Sequence, residues 1–232
     1  MATGFKPSGL TQQSFANMIT GSGALYFGID YSTVTPTTTA QEFAQILQAA
    51  QADGRALGAT TGGITATLTP SFRQIEVDDL PAPIAASTVQ DGWEAATIST
   101  TVKEITRQNI DRLIATSFVD PETGAIMFGS TLLPKHFESD ITWATARIDG
   151  GILVFKLEGA LNTAGFTVTS TSGGEGTVAV EFAGHLKDLA DIQRGVAPMK
   201  AFFFDQGGAG DATGLVSPLA AKKSNTNKTS EV

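Results

Sequence analysis

Cysteine is absent from the 232 residues, and histidine occurs only twice, at His136 and His185. The first absence excludes disulfide scaffolds, cysteine–zinc and iron–sulfur sites and thiol nucleophiles. The second excludes a histidine-rich metal centre. Charged residues make up 16% of the chain, against about 25% in an average soluble protein. Cations are the scarcer sign: 15 Lys and Arg stand against 23 Asp and Glu, for a net charge of −8 and a pI near 4.7. Affinity for nucleic acid comes largely from cations that neutralise phosphates, so this composition argues against a phosphate-wrapping protein. No apolar run approaches the ~18 residues that read as a membrane span. The opening Met1–Lys6 lacks the charged-then-apolar pattern of a secretory leader, and cytosol-like conditions are the expectation.

What is abundant is threonine, 31 of 232 residues. A β-branched hydroxyl residue suits a pleated, half-exposed surface, so the composition leans towards β-sheet. The hydrophobic pattern agrees. Ala24–Asp30 is a short apolar strand. From Gly62 the period is two: Ile64, Ala66 and Leu68 alternate with threonines, and the strand runs past Pro70 to Val77. A second alternating strand spans Trp93–Ile105, and further strands are expected at Ile126–Phe128, Ile141–Ile148, Ile152–Leu157, Phe166–Thr171, Thr177–Phe182 and Met199–Phe204. Two segments have the helical period. Thr39-Ala40-Gln41-Glu42 is a capping box ahead of the stripe Phe43, Ile46, Leu47, Ala50, closed by Asp53-Gly54. A second helix starts at Thr106, with Ile105 and Ile110 placed as a hydrophobic staple and Ile110, Leu113 and Ile114 facing inward. A short helix is expected around Leu186–Ile192. The fold class is therefore mainly β: a sandwich or partial barrel flanked by one or two helices. Residues 1–22 read as an N-terminal arm, 23–205 as the β domain, and 206–232, opened by Gly207-Gly208-Ala209-Gly210, as a C-terminal arm or disordered tail.

Chemistry is thin. Glu76, Asp78 and Asp79 cluster, but Pro81 and Pro83 leave no calcium loop of spaced oxygens and glycine. No G-x-S-x-G surrounds a serine, and neither histidine has a catalytic motif beside it. Gly208-x-Gly210 is followed by Gly214, one position late for a dinucleotide fingerprint, with no helix behind it. Phe202-Phe203-Phe204 has Lys200 as its only basic neighbour, unlike an aromatic–cationic nucleic-acid platform. A strand buried on both faces, or with one face against another subunit, is expected there instead. The reading is of a non-enzyme without cofactor or metal that works by assembling. Two other classes stand beside it: a carbohydrate-binding β-sandwich module using Trp93 and Trp143, and a hydrolase pairing carboxylates among Glu94, Glu158 and Glu181.

Five stretches, in order over roughly residues 24–204, resemble the tail tube (major tail) proteins of long-tailed, non-contractile bacteriophages. Leu57-Gly58-Ala59-Thr60-Thr61-Gly62-Gly63-Ile64 is similar to that family's L-G-A-T-x-G-G-V entry into its first long strand. Arg73-Gln74-Ile75-Glu76-Val77-Asp78 resembles R-x-I-E-V-D, and Trp93-Glu94-Ala95 resembles the W-E-A return. Ala160–Phe166 is similar to A-L-N-T-x-G-F, and Val180–His185 to V-E-F-x-G-H. The Thr39–Asp53 helix is an apparent insertion, and the end beyond Asp205 falls outside the pattern. The resemblance implies a β-sandwich whose copies form hexameric rings stacked into a hollow tube. DNA passes through the lumen without specific binding. Tape-measure and tail-terminator proteins are the implied partners, and the virion tail is the implied location. It also implies that the loop from about Glu76 to Gly92 reaches the neighbouring ring. The expectation is that Leu80 and Ile84 bury there, stiffened by Pro81 and Pro83. Glu76, Asp78 and Asp79 would then meet basic groups such as Arg107 or Arg112 of the next subunit, or face solvent.

Overall fold

The computed structural model describes residues 12–75, 87–170 and 172–206. After a short helix α1 (Gln12–Ala16), the chain forms β1 (Ile19–Phe27), α2 (Ala40–Ala52), and the long pair β2 (Thr60–Gln74) and β3 (Thr88–Val102). It continues through α3 (Arg107–Leu113), β4 (Ser117–Val119), β5 (Ile126–Phe128), β6 (Ile141–Arg147) and β7 (Ile152–Leu157). Then come β8 (Leu161–Asn162), β9 (Val168–Thr169), β10 (Thr177–Ala183), α4 (Leu189–Gln193) and β11 (Met199–Phe204). The protein is mainly β, with antiparallel sheets and few helices.

Two sheets make the sandwich. One is ordered β1-β6-β7-β11; the other is β2-β3-β10-β8, with β9 also on β10. Their inner faces share one core: Leu25, Phe27, Ile141, Trp143, Leu157 and Met199 from the first sheet meet Ile64, Ala96, Ile98, Val102, Val178, Val180 and Phe182 from the second. Period-two alternation puts those residues on one face of each strand. The same alternation gives the first sheet a second apolar face. On it Tyr26, Ala144, Val154 and Phe204 receive Ala40, Phe43, Leu47 and Ala50 of α2. The helix begins where the capping box is: Thr39 Oγ1 accepts the Glu42 N–H at 3.3 Å, and the Glu42 carboxylate accepts the Thr39 N–H at 2.8 Å. Phe43 is fully buried and stacks on Phe204 with ring centroids 4.2 Å apart. The first sheet is thus the middle layer, covered by the second sheet on one side and by α2 on the other.

Several boundaries differ from the sequence reading. β1 begins at Ile19, inside the expected arm, and pairs with β6 from Ile19↔Arg147 onward. Its register shifts between Thr20 and Ala24, where Gly21 and Gly23 both have positive φ. That bulge breaks the alternation and hides the strand. At Gly23 an added Cβ would lie 2.3 Å from the Ala144 carbonyl oxygen, so the close approach needs glycine. β3 starts at Thr88 rather than Trp93. Residues 88–92 pair back onto 71–74, and Arg73 holds Asp91 at 2.8 Å. The expected long loop is shortened accordingly. Pro70 is accommodated because β2 is an edge strand with register shifts on either side of it. β4 and β8 were not expected, and Phe166–Thr171 yields only the two-residue β9. Phe202-Phe203-Phe204 is not buried on both faces. Phe202 stacks on Tyr31 and Phe204 on Phe43, while Phe203 on the opposite face is 63% exposed.

Candidate assembly surfaces

The residues expected to reach the next ring, Glu76, Asp78, Asp79, Leu80, Pro81 and Ile84, lie outside the described residues. What is described is the strand pair that precedes and follows them in sequence. β2 and β3 each run 15 residues, about 50 Å at ~3.3 Å per residue. The last core residues on their inner face are Ala66 and Ala96, and the Trp93 indole N–H still donates to the Gly195 carbonyl at 3.1 Å. Beyond that point the hairpin exposes Phe72 (63%), Ile75 and Val89. The two basic residues named as counter-charges behave differently. Arg107, at the first turn of α3, is exposed. Arg112 is half-buried and used within the subunit: it donates to the Gly54 carbonyl, and its guanidinium lies 5.4 Å from the Phe27 ring centroid. Burial, with Arg55 nearby, pulls its pKa below that of an ordinary arginine. Only Arg107 of the two presents a free face to a partner.

α3 itself is pinned by a residue the sequence reading passed over. Asn109 is buried, and its amide donates to the Leu57 and Glu104 carbonyls at 2.8 and 3.0 Å. Thr106 caps the helix by accepting the Asn109 N–H at 3.1 Å. The staple residue Ile105 is exposed instead.

Beyond α3 the chain makes a two-stranded sheet, β4 against β5, closed by the Asp120–Gly124 turn. Asp120 organises that turn. Its carboxylate accepts from the Thr123 hydroxyl at 2.5 Å and from the Glu122 N–H at 3.1 Å, and these bonds hold its pKa below the usual range. The hairpin exposes Phe118 and Met127, paired on one face, and Val119 and Phe128 on the other, with Leu132 and Leu133 following.

A second feature without a sequence signal is an ion-pair chain at the mouth of the first sheet. Asp140 meets Lys187 at 2.5 Å and Lys156 at 3.1 Å. Glu158 meets Lys200 at 2.7 Å and Lys156 at 3.5 Å. Asp191 of α4 meets Lys200 at 2.9 Å and also Arg194. Burial pushes the Asp140 carboxyl up, but bonds from Lys187, the Gly159 N–H and Lys156 outweigh it and leave its pKa lowered. The Asp191 carboxyl is held down by Lys200 and Arg194, and the carboxylates in turn raise Lys200. Every acid in the chain has cationic partners, so the arrangement fastens α4 and the segment before β6 to the sheet rather than presenting a reactive group. Tyr31 closes it from above, its ring 5.0 Å from Lys156 Nζ and its hydroxyl 2.9 Å from that of Thr142.

The residues weighed for other chemistries are dispersed. Glu158 is committed to the ion-pair chain of the first sheet, whereas Glu94 and Glu181 are exposed on β3 and β10 of the second. No facing pair of carboxylates results. Trp143 is buried, stacks on Phe155 and donates to the Ser22 carbonyl at 2.9 Å, so it cannot serve a sugar platform with Trp93. His136 accepts the Leu133 N–H at 3.0 Å and closes a 3-10 turn; His185 Nδ1 lies 3.0 Å from the Gly159 carbonyl. Each imidazole has a local structural partner. A shallow cleft of about 550 Å³ is lined by Ala59, Lys103, Glu104, Glu175 and Gly176, with Lys103 and Glu175 ion-paired across it.

No protein-family model matches this chain, and no curated protein matches it.

Proposed function

We propose that this chain is a structural virion protein of the tail-tube kind, which self-assembles into stacked hexameric rings around a lumen that DNA traverses. The observation that carries the reading is the β2–β3 hairpin: a long paired stalk that leaves the core and carries Phe72, Ile75 and Val89 exposed. The hairpin end exposes Phe72 on one face and Val89 and Ile75 on the other, apolar area that a neighbouring copy would bury from either side. The motifs behind the resemblance fall on that same element and its supports. Leu57–Ile64 forms the bulged entry into β2, with Leu57 fully buried. Arg73–Ile75 closes its far end, and Trp93–Ala95 lies on the β3 return. The mechanism is structural: the stalk bridges ring to ring, and strand edges join neighbours within a ring, which removes exposed edges. The tape-measure and terminator proteins of a tail are its further partners on this reading.

Negative-stain microscopy of the purified chain is the test. Tubes of uniform diameter are expected. Monomers at every concentration and salt, with the full chain intact, would count against assembly altogether. Phe72→Asp is expected to leave a folded subunit that forms no long tubes; normal tubes from that variant would remove the stalk from the interface.

A further inference from the structure

We infer that the β4–β5 hairpin of one copy packs against the free β11 edge of the next copy, making the lateral contact within a ring. The inference rests on the assembly reading above and adds the two surfaces that would meet.

The two surfaces lie on opposite flanks of the first sheet. Its strand order is β1-β6-β7-β11, so β1 and β11 are the outer strands, about 14 Å apart at ~4.8 Å per strand. The C-terminal end of the β1 edge, Leu25–Phe27, is covered by its own chain. The Phe27 N–H donates to the Arg55 carbonyl and the Leu57 N–H to the Leu25 carbonyl, both at 2.9 Å. α3 is fixed to that cover through Asn109 on Leu57 and Arg112 on Gly54. β4 follows α3 directly and is tied to it by Ser117 Oγ, which donates to the Asp111 carbonyl at 2.9 Å. The hairpin therefore belongs to the β1 flank. The β11 flank has no such cover: among the described residues no strand pairs with its outer edge. Beside that edge, β11 exposes Ala201 and Phe203 on the face opposite α2, and the neighbouring α4 exposes Leu189 and Ile192.

Each surface is unfinished by the same physical standard. An isolated two-stranded sheet is marginal in water, and this one is apolar on both faces, with Phe118 54% and Phe128 56% exposed. Counting both faces with Val119 and Met127, and Leu132 and Leu133 after the hairpin, it exposes apolar area on the order of 500 Å², so either face alone supplies only part of the ~800 Å² each partner gives to a stable interface. A bare strand edge with a protruding phenylalanine invites an added strand, through main-chain bonds and a side-chain anchor. One flank offers free strands with apolar faces; the other offers a free edge with an apolar face. Two different patches on opposite sides of a subunit make a head-to-tail contact, which closes into a ring when the rotation per step permits. A second copy of this chain satisfies both flanks at once.

The cysteine-free chain permits a direct test. Met127→Cys combined with Ala201→Cys, and Val119→Cys combined with Ala201→Cys, are assembled and mildly oxidised. A ladder of covalent multimers ending in one closed species is expected from at least one pair, while each single-cysteine variant stops at dimer. The double variant Phe118→Ser, Phe128→Ser is expected to remain folded and to need more than about tenfold higher concentration to assemble, the equivalent of losing part of one buried aromatic anchor. Tubes that form normally while neither cysteine pair links beyond dimer would overturn the lateral assignment and leave the tube reading standing. Unmodified chain that never self-associates would overturn both.

Discussion

Phe43 shows how much one side chain carries here. It is the only fully buried ring of α2, it stacks on Phe204, and it touches Tyr31 at 6.0 Å between centroids. Removing it leaves a cavity between helix and sheet that neither rigid layer can close. Phe43→Ala is expected to cost about 3–5 kcal/mol, read as a lowered denaturant midpoint with little change in slope. The helix cap is a smaller term: Thr39→Ala should cost about 1 kcal/mol. A Phe43→Ala loss below that cap value would show that α2 is not a packed layer. The capping box and stripe made α2 legible from sequence alone, because both are local patterns. Asn109 was not legible, because its two carbonyl partners, Leu57 and Glu104, come from a strand entry and a strand exit that only the fold brings together.

Among the elements, the ion-pair chain joining β7, β11 and α4 contributes to the pH response, beside the lowered carboxyls of Asp30, Glu42, Asp120 and Glu175 and the raised phenols of Tyr26 and Tyr31. Asp140 and Asp191 have folded pKa values below the ordinary 3.8. Their contribution to stability is complete above that value and is lost as pH falls through the lowered ones. Lys200 is raised above 10.5, so its contribution is complete below that value and is lost as pH rises through the raised one. Thermal unfolding should therefore be flat across the neutral range and decline below pH 3.8 and above pH 10.5. Asp140→Asn combined with Asp191→Asn should lower the plateau and make the acid limb shallower. An unchanged acid limb would leave that limb to Asp30, Glu42, Asp120 and Glu175 alone. The strands joined here were mostly visible as alternating runs: Ile152–Leu157 and Met199–Phe204 have the expected bounds. Their ion pairs were not visible, since Lys156, Glu158, Lys187, Asp191 and Lys200 are scattered along the sequence without a motif and only the fold brings them together. The start of β1 and the short β4 escaped for a different reason: a glycine bulge erases the period in one, and three residues are too few to show a period in the other.

At the scale of the molecule, charge decides what an assembly of this chain can hold. The first 205 residues carry a net charge of −9, and several of their cations are already spent on internal carboxylates: Lys156, Lys187 and Lys200 at the sheet mouth, Arg147 on Asp149 and Asp205, Arg55 on Asp53. Counterion release drives DNA binding only when free cations displace the condensed ions on phosphates. With few cations unspent, that term is small. Ring symmetry repeats the excess of carboxylates around any lumen, which gives a field that repels a polyanion. A conduit needs this property, since cargo that sticks does not leave. Assembled tubes are therefore expected to retain no double-stranded DNA in a sedimentation assay even at about 50 mM salt, where weak electrostatic binding is strongest. Co-sedimentation of DNA that weakens steeply as salt rises would show a cationic surface formed on assembly, and would count against a passive lumen.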